Sequence, residues 1–392
     1  MKRFLFILSF LFLSLSGMMA KDIKVRLFSN KVLAQTIVTP HTGKFHLLAL
    51  DRNLSILDTV YDVFGDTLKE PMFFIHKGNR IEVRTQEQRF GDYEALMLVA
   101  PVDTDAWIIK GAGPERIYSG KVCFRIQSGE FQVINIVDLE TYVAGVVESE
   151  GGHVAEFEYL KAQAIMARTF ALKNLEKHLE EGYNLKDDVT SQVYLSKAYL
   201  QNKDMIIQAV RQTRDSVLVT EKGELVFGAF HSNSGGQTAN SEEAWSQPID
   251  YLRSRTDSFS LGQERSTWTV TLDKEKFVAY FARWFGVSIN DPQLRKEVVT
   301  FSQPQRRSVF TYKNKELPLK YVRKEFGLRS TYFSVQEKGD KVILNGRGFG
   351  HGVGMSQEGA MEMSRRGYDH KQILSFYFRG TRLEDYHNIQ GL

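Results

Sequence analysis

Glu150 is a carboxylate at a position where its helix should bury hydrocarbon. Leu139, Tyr142, Val143, Val146 and Val147 recur at i, i+3, i+4, i+7 and i+8, one amphipathic stripe. At about 100° per residue, position 150 falls near the middle of that stripe, and Glu148 falls on the opposite face. Desolvation disfavours a charged carboxyl, and so does the negative end of a helix dipole at a C-terminus. Both effects raise the pKa, which suits a general acid working near neutral pH. The alternative is a frayed last turn with Glu150 pointing to water.

Other candidates surround this one in sequence. A second helix expected over 156–181 places Leu160, Ala164, Ala167 and Ala171 on one narrow face, small enough for close approach to a neighbour. Lys161, Gln163 and Arg168 border that face. A cation beside Glu150 would lower its pKa again, so Lys161 and Arg168 fit better as groups that orient substrate or stabilise developing charge, or as structural residues. The run His231-Ser-Asn-Ser-Gly-Gly-Gln-Thr238 is dense in hydrogen-bonding groups, as sugar recognition requires; Ser234 and Gln237 lie within it. Ser234 lacks the Gly-x-Ser-x-Gly surroundings of a hydrolase nucleophile, and a tight surface turn explains the run equally well. Trp245 could stack a sugar or fill a core. Between Asn345 and Ser356, glycines at 346, 348, 350, 352 and 354 alternate with Arg347, Phe349, His351, Val353 and Met355. As a strand, this segment would have one bare face for a ligand or another backbone. The spacing is not that of a dinucleotide loop. His231 and His351 are the best candidate metal ligands, but no cysteine stands near either, and no metal or cofactor is expected.

These residues need a scaffold, and the chain has the length and composition for one: 392 residues, 42% hydrophobic and 25% charged. The expected class is α+β, with a β-rich N-terminal part followed by a larger mixed α/β domain carrying a substrate groove. Strand-like runs occur at Ile23–Phe28, Lys44–Leu50, Phe73–His76, Ala95–Val99, Trp107–Ile109, Val122–Ile126 and Gln132–Val137. Asp138 can cap the first helix and Gly151-Gly152 can end it. A further α+β stretch covers roughly 267–345, and Ser356 can cap a closing helix that runs to Arg366. The expected division is 1–20, 21–114 and 115–392. Residues 1–20 have the basic start, apolar middle and small-residue end of a signal peptide or signal anchor, which sends the rest out of the cytoplasm. Net charge is +4, or +2 without Lys2 and Arg3, too small to suggest nucleic acid. Cys123 is the only cysteine, so no internal disulfide forms, and it reads as a structural, partly covered thiol.

Several ordered motifs resemble the stage II sporulation protein D (SpoIID/LytB) family. They are Val137-Asp-Leu-Glu-Thr-Tyr-Val-Ala-Gly-Val-Val-Glu-Ser-Glu150, Leu160-Lys-Ala-Gln-Ala, Ala167-Arg-Thr-Phe170, His231-Ser-Asn-Ser-Gly-Gly236 and Gly348-Phe-Gly-His-Gly-Val-Gly-Met-Ser-Gln-Glu-Gly-Ala360, within residues of about 115–384. The resemblance implies a peptidoglycan lytic transglycosylase acting on glycan strands stripped of stem peptides. It places the family's acid on Glu150 and positions that matter for activity on Lys161 and Arg168. His231, Ser234, Gln237, His351 and Gln357 then become candidate substrate contacts. Two departures stand out: Gly151-Gly152 replaces Met-Pro, and the cysteines that hold zinc in some members are absent. The chemistry is compatible with one carboxylate, because the muramic C6 hydroxyl is the nucleophile and no water-activating partner is needed. The resemblance also allows a non-catalytic wall-binding protein that guides or activates an amidase. A hydrolytic muramidase, with Glu242 or Asp257 as second carboxylate, is a third reading. Glycan strands and a cell-wall amidase are the expected partners, with membrane contact only through an uncleaved leader. The expected location is the periplasm or the outer face of the inner membrane.

Overall fold

A computed structural model describes residues 21–42, 45–62, 70–100, 105–151, 156–197, 203–245 and 247–392. The expected leader and Gly152 lie outside them. Twelve strands come first among the described residues: β1 (Asp22–Leu27), β2 (Gln35–Thr42), β3 (His46–Leu50), β4 (Ile56–Asp62), β5 (Met72–Lys77), β6 (Arg80–Arg84), β7 (Arg89–Tyr93), β8 (Ala95–Val99), β9 (Ala106–Lys110), β10 (Arg116–Ser119), β11 (Lys121–Gln127) and β12 (Glu130–Asp138). Period-two alternation explains the inward faces: β1 buries Ile23, Val25 and Leu27, and β6 buries Ile81 and Val83. One sheet has the order β10-β9-β2-β5-β6-β7. The other places β1-β12-β11-β8-β3-β4 side by side, with the short parallel β13 (Leu185–Lys186) on the free edge of β1. Phe74 of the first sheet stacks on Phe124 of the second at 4.0 Å between centroids, at the centre of a shared core.

The division expected at residue 115 falls inside this sandwich. β11 pairs with β8, and β12 pairs with β1 from Asp22↔Asp138 to Leu27↔Val133, so ladder hydrogen bonds cross that point. Cys123 in β11 is also more enclosed than alternation suggested, because Ile134 and Tyr183 cover it. Burial pushes its thiol up to about 11.

Helices follow. Asp138 Oδ1 accepts the N–H groups of Glu140 and Thr141 and starts α1 (Leu139–Gly151). α2 (Phe157–Lys173) stops eight residues short of the expected 181. The physical cause is Asn174, whose side-chain amide takes the carbonyl of Phe170 at 2.8 Å; turns and a short 3-10 segment continue to Gly182. Next come α3 (Lys203–Gln212), β14 (Ser216–Thr220), β15 (Phe230–His231) and α4 (Ser241–Ala244).

Residues 267–347 form a module with a hydrophobic core of its own, built on Phe277, Phe281, Phe310, Leu317 and Leu344. Its elements are β16 (Thr267–Asp273), α5 (Lys274–Phe285), α6 (Pro292–Val299), β17 (Val309–Tyr312), β18 (Lys315–Pro318), α7 (Leu319–Glu325), β19 (Phe333–Lys338) and β20 (Lys341–Arg347). The chain then returns through β21 (Met355–Ser356), α8 (Gln357–Arg365), α9 (His370–Tyr377) and β22 (Thr381–Asp385), which pairs with β14. Overall the fold is α+β, and no described helix is long and apolar enough to cross a membrane.

The alternating-glycine segment is not the strand expected from its pattern. β20 ends at Arg347, and Gly348, Gly350, Gly352 and Gly354 all have positive φ. The bare positions admit backbone: a Cβ on Gly348 would lie 2.6 Å from the carbonyl oxygen of Asn233, and one on Gly354 would lie 2.1 Å from that of Ala229. The segment packs along residues 229–236, and β21 pairs in parallel with β15.

Candidate functional site

Glu150 sits in the last turn of α1, half-buried, on the wall of a cleft of about 660 Å³. Burial holds its carboxyl above the usual carboxylate range, opposed by the Val193 N–H that Oε1 accepts at 3.0 Å. The fully buried Tyr142 and Tyr159 lie close by, and their phenols are displaced upward by burial and then by the charge of Glu150. From the other side, Gln357 at the start of α8 donates Nε2–H to the Glu150 carbonyl at 3.0 Å. That bond satisfies one of the carbonyls a helix end leaves open.

Val193 belongs to a strap, residues 187–197, clamped between α1 and the β-sandwich. Leu195 N–H donates to Ser149 Oγ at 3.0 Å, and Ser196 Oγ donates to Glu148 Oε2 at 2.7 Å. Glu148, on the face opposite the apolar stripe, is thereby buried as well, so α1 is enclosed on nearly all sides. Gly145 permits this fit, since a Cβ there would stand 2.1 Å from the Ser196 carbonyl oxygen. At its start the strap is tied to the sandwich by Asp187, which accepts the N–H groups of Phe28 and Ser29, the Ser29 hydroxyl, and Arg116 Nη1 at 2.7 Å. Lys177 holds its outer edge through the Thr190 carbonyl at 2.6 Å.

Trp245 and His351 complete the wall. Trp245 meets Phe227 edge-on at 4.9 Å and His351 at 5.0 Å. His351 Nδ1 accepts the Val353 N–H at 3.1 Å, which assigns its proton to Nε2. Burial and then the nearby Arg323 bring its pKa down to about 4, so the ring is neutral at neutral pH. Among the described residues, Glu150 is the only carboxylate lining the cleft. Asp257 is fully buried under Ser234 and Tyr377, and Glu242 is an exposed partner of Arg253 at 2.7 Å; neither lines the cleft.

The remaining candidates from the sequence do not line the cleft. Lys161 pairs with Glu158 at 2.7 Å and sits over the Phe157 ring. Arg168 has no exposed surface: Nε and Nη2 grip the two oxygens of Glu140 at 2.8 and 2.5 Å, and Nη1 holds the Ser216 carbonyl. It joins α2 to α1 and β14. Ser234 is buried between Asp257 and Ser260. Gln237 is spent on Ser254 and the Arg306 N–H. His231 is buried, with Nδ1 on the Val353 carbonyl and Nε2 without a partner, and its pKa is displaced well below the ordinary range by burial and then by His351. Its surroundings do not fit zinc: Cys123 is far off in β11, and the one group of three potential ligands among the described residues is Asp215, Asp385 and His387 at the surface. His351 thus shares the cleft with Glu150, and Gln357 supports Glu150 from behind. Lys177, Gln192 and Val193 of the cleft carry no motif or periodic signal in the sequence, whereas Phe170 closes the Ala167–Phe170 motif.

A family model described as stage II sporulation protein matches residues 127–219. The chain is 30% identical to stage II sporulation protein D of Bacillus subtilis over 286 residues, covering 70% of this chain and 82% of that one. It is 27% identical over 278 residues to an uncharacterised protein of Brachyspira hyodysenteriae, covering 69% and 73% of the two chains. It is 28% identical over 295 residues to the amidase enhancer of B. subtilis, covering 62% of this chain and 40% of that relative.

Proposed function

Because the chain belongs to the stage II sporulation protein D family, we propose that it is a lytic transglycosylase that cleaves peptidoglycan glycan strands. The observation that carries this reading is Glu150, the one cleft-lining carboxyl among the described residues, held above its ordinary pKa by burial. Its proton passes to the glycosidic oxygen as the bond from muramic C1 to that oxygen breaks. The resulting carboxylate takes the proton of the C6 hydroxyl as O6 closes on C1, giving a 1,6-anhydro end and restoring the acid. The Val193 N–H supports the carboxylate stage of this cycle. Trp245, set on the cleft wall by Phe227 and His351, offers a face for a pyranose ring. Such a substrate lies outside the cytoplasm, at the outer face of the inner membrane or in the periplasm, which agrees with a leader at residues 1–20.

The test is Glu150→Gln on glycan stripped of stem peptides, with product ends weighed by mass spectrometry. The expected result is loss of cleavage, with wild-type ends one water lighter than hydrolysed ends. Retained cleavage removes Glu150 from the mechanism. A second reading, a wall-binding protein that stimulates an amidase, is favoured by the similarity to the amidase enhancer. It requires glycan binding without any released product.

A further inference from the structure

The whole-chain charge conceals a strong local imbalance. Residues 267–347 contain 16 Lys or Arg and 8 Asp or Glu, a balance of +8 in a chain whose total is +4. Removing them from the chain's 51 basic and 47 acidic residues leaves 35 against 39, so the rest of the molecule is net −4. The basic segment coincides with the module that has its own core.

One face of this module carries an exposed aromatic pair. Trp284 at the end of α5 is 45% exposed and Tyr321 in α7 is 43% exposed, with ring centroids 5.4 Å apart and planes 32° from parallel. Isolated exposed aromatics need no explanation, but this pair is held in place. The Trp284 indole N–H donates to the Glu316 carbonyl at 3.1 Å, which satisfies its polar edge and leaves the ring face open. Cations outnumber acids beside it: Lys320 stands 5.8 Å over the Tyr321 ring, Lys315 and Lys324 are exposed alongside in sequence, and Arg283 pairs with Glu325 at 3.5 Å, with Glu316 the other exposed acid. The module is also docked on the cleft wall, since Arg306 Nη1 donates to the His351 carbonyl at 3.4 Å.

We infer that the Trp284–Tyr321 face is a second binding surface, separate from the Glu150 cleft, that holds an anionic polysaccharide. The exposed rings take the C–H face of a sugar, and the cations take its carboxylates. The inference rests on the proposed function for the identity of the polymer: a glycan strand without stem peptides carries a free lactyl carboxylate on each muramic residue. A strand anchored there remains at high effective concentration near the cleft, so the gain is avidity without a new contact at Glu150.

The test uses the full chain carrying Glu150→Gln, so that bound polymer is not consumed, in co-sedimentation with amidase-stripped sacculi, neutral chitin and anionic phospholipid vesicles. Trp284→Ala with Tyr321→Ala should weaken binding to stripped sacculi by about five- to tenfold. Lys320→Glu with Lys324→Glu should weaken it comparably at low salt, with the difference shrinking at about 0.5 M salt. Chitin should bind more weakly than sacculi and respond little to the charge change. Trp284, Tyr321 and Lys324 are exposed and Lys320 is half-buried, and unchanged thermal unfolding confirms that the variants fold. Binding by both double variants equal to that of the starting protein, with wild-type cleavage intact, overturns this inference and leaves the proposed function standing. Trp284-dependent binding, when the protein with Glu150 intact proves unable to cleave, overturns the proposed function and supports this surface. Tighter binding to vesicles than to sacculi overturns the choice of a glycan.

Discussion

Arg168→Met separates a structural strut from a substrate contact. The guanidinium has no exposed surface and spends three nitrogens on Glu140 and Ser216. Removing it leaves the Glu140 carboxylate, whose side chain is 15% exposed, without its counter-charge. Breaking one side of a buried pair costs about 3–5 kcal/mol. The Ser216 carbonyl loses its side-chain donor too, but that loss overlaps the first, so about 4 kcal/mol is expected for the single change. Against a total stability of about 5–15 kcal/mol this is a large fraction. The double variant Glu140→Met with Arg168→Met removes both charges and should recover most of the loss, ending within about 1–2 kcal/mol of the starting protein. Urea unfolding reads the effect as a lowered midpoint at constant slope. A cost below about 1 kcal/mol for Arg168→Met, together with lost glycan cleavage, would refute the strut and return Arg168 to the substrate.

Other changes follow from the same geometry. Glu150 has a native pKa above its unfolded value, so folding stability falls as pH rises from the ordinary carboxyl range through the raised native pKa. Glu150→Gln removes that loss, and its stability advantage, followed by thermal unfolding, should widen across this window and stay flat above it. Gln357→Leu deletes the bond to the Glu150 carbonyl; about 1 kcal/mol of stability and a lowered kcat with little change in KM are expected, measured by unfolding and steady-state cleavage. Gly354→Ala forces a side chain onto φ +73° with Cβ 2.1 Å from the Ala229 oxygen, and should cost at least about 2 kcal/mol in urea unfolding. Cys123 should label with an aromatic disulfide reagent only at the rate of unfolding, because burial both blocks it and pushes its pKa up to about 11.

The sequence carried the strongest local signals well. Ala95–Val99 is a strand with the expected ends, and the cap at Asp138 with its apolar stripe marks α1 to within a residue. Weakly patterned strands were illegible: β7, Arg-Phe-Gly-Asp-Tyr, buries no side chain fully and has no alternation to read. Alternation misled at 348–354, where every second residue is glycine because the backbone turns left-handed there; Gly346 alone sits in a strand, where the Trp268 ring leaves no room for a side chain. The position of Glu150 on the helix was legible, but its surroundings were not. The strap that supplies Val193 is placed by Asp187 reaching Phe28 and Ser29, nearly 160 residues away, and no local pattern encodes such a contact. Arg168 and Ser234 are polar residues whose partners come from distant elements, so type and spacing alone did not distinguish a buried tie from a ligand contact.

The pairing of β1 with β12 also dictates an order of assembly. Both neighbours of the first strand lie downstream of residue 129, and the ties to Asp187 come later still. The six-stranded sheet has all its strands between Gln35 and Ser119, but the sheet that holds β1 cannot close until β12 has been made, just ahead of α1. The first strand of the clasp stays open until its last strand arrives, and the acidic group is fixed in place only as the clasp shuts.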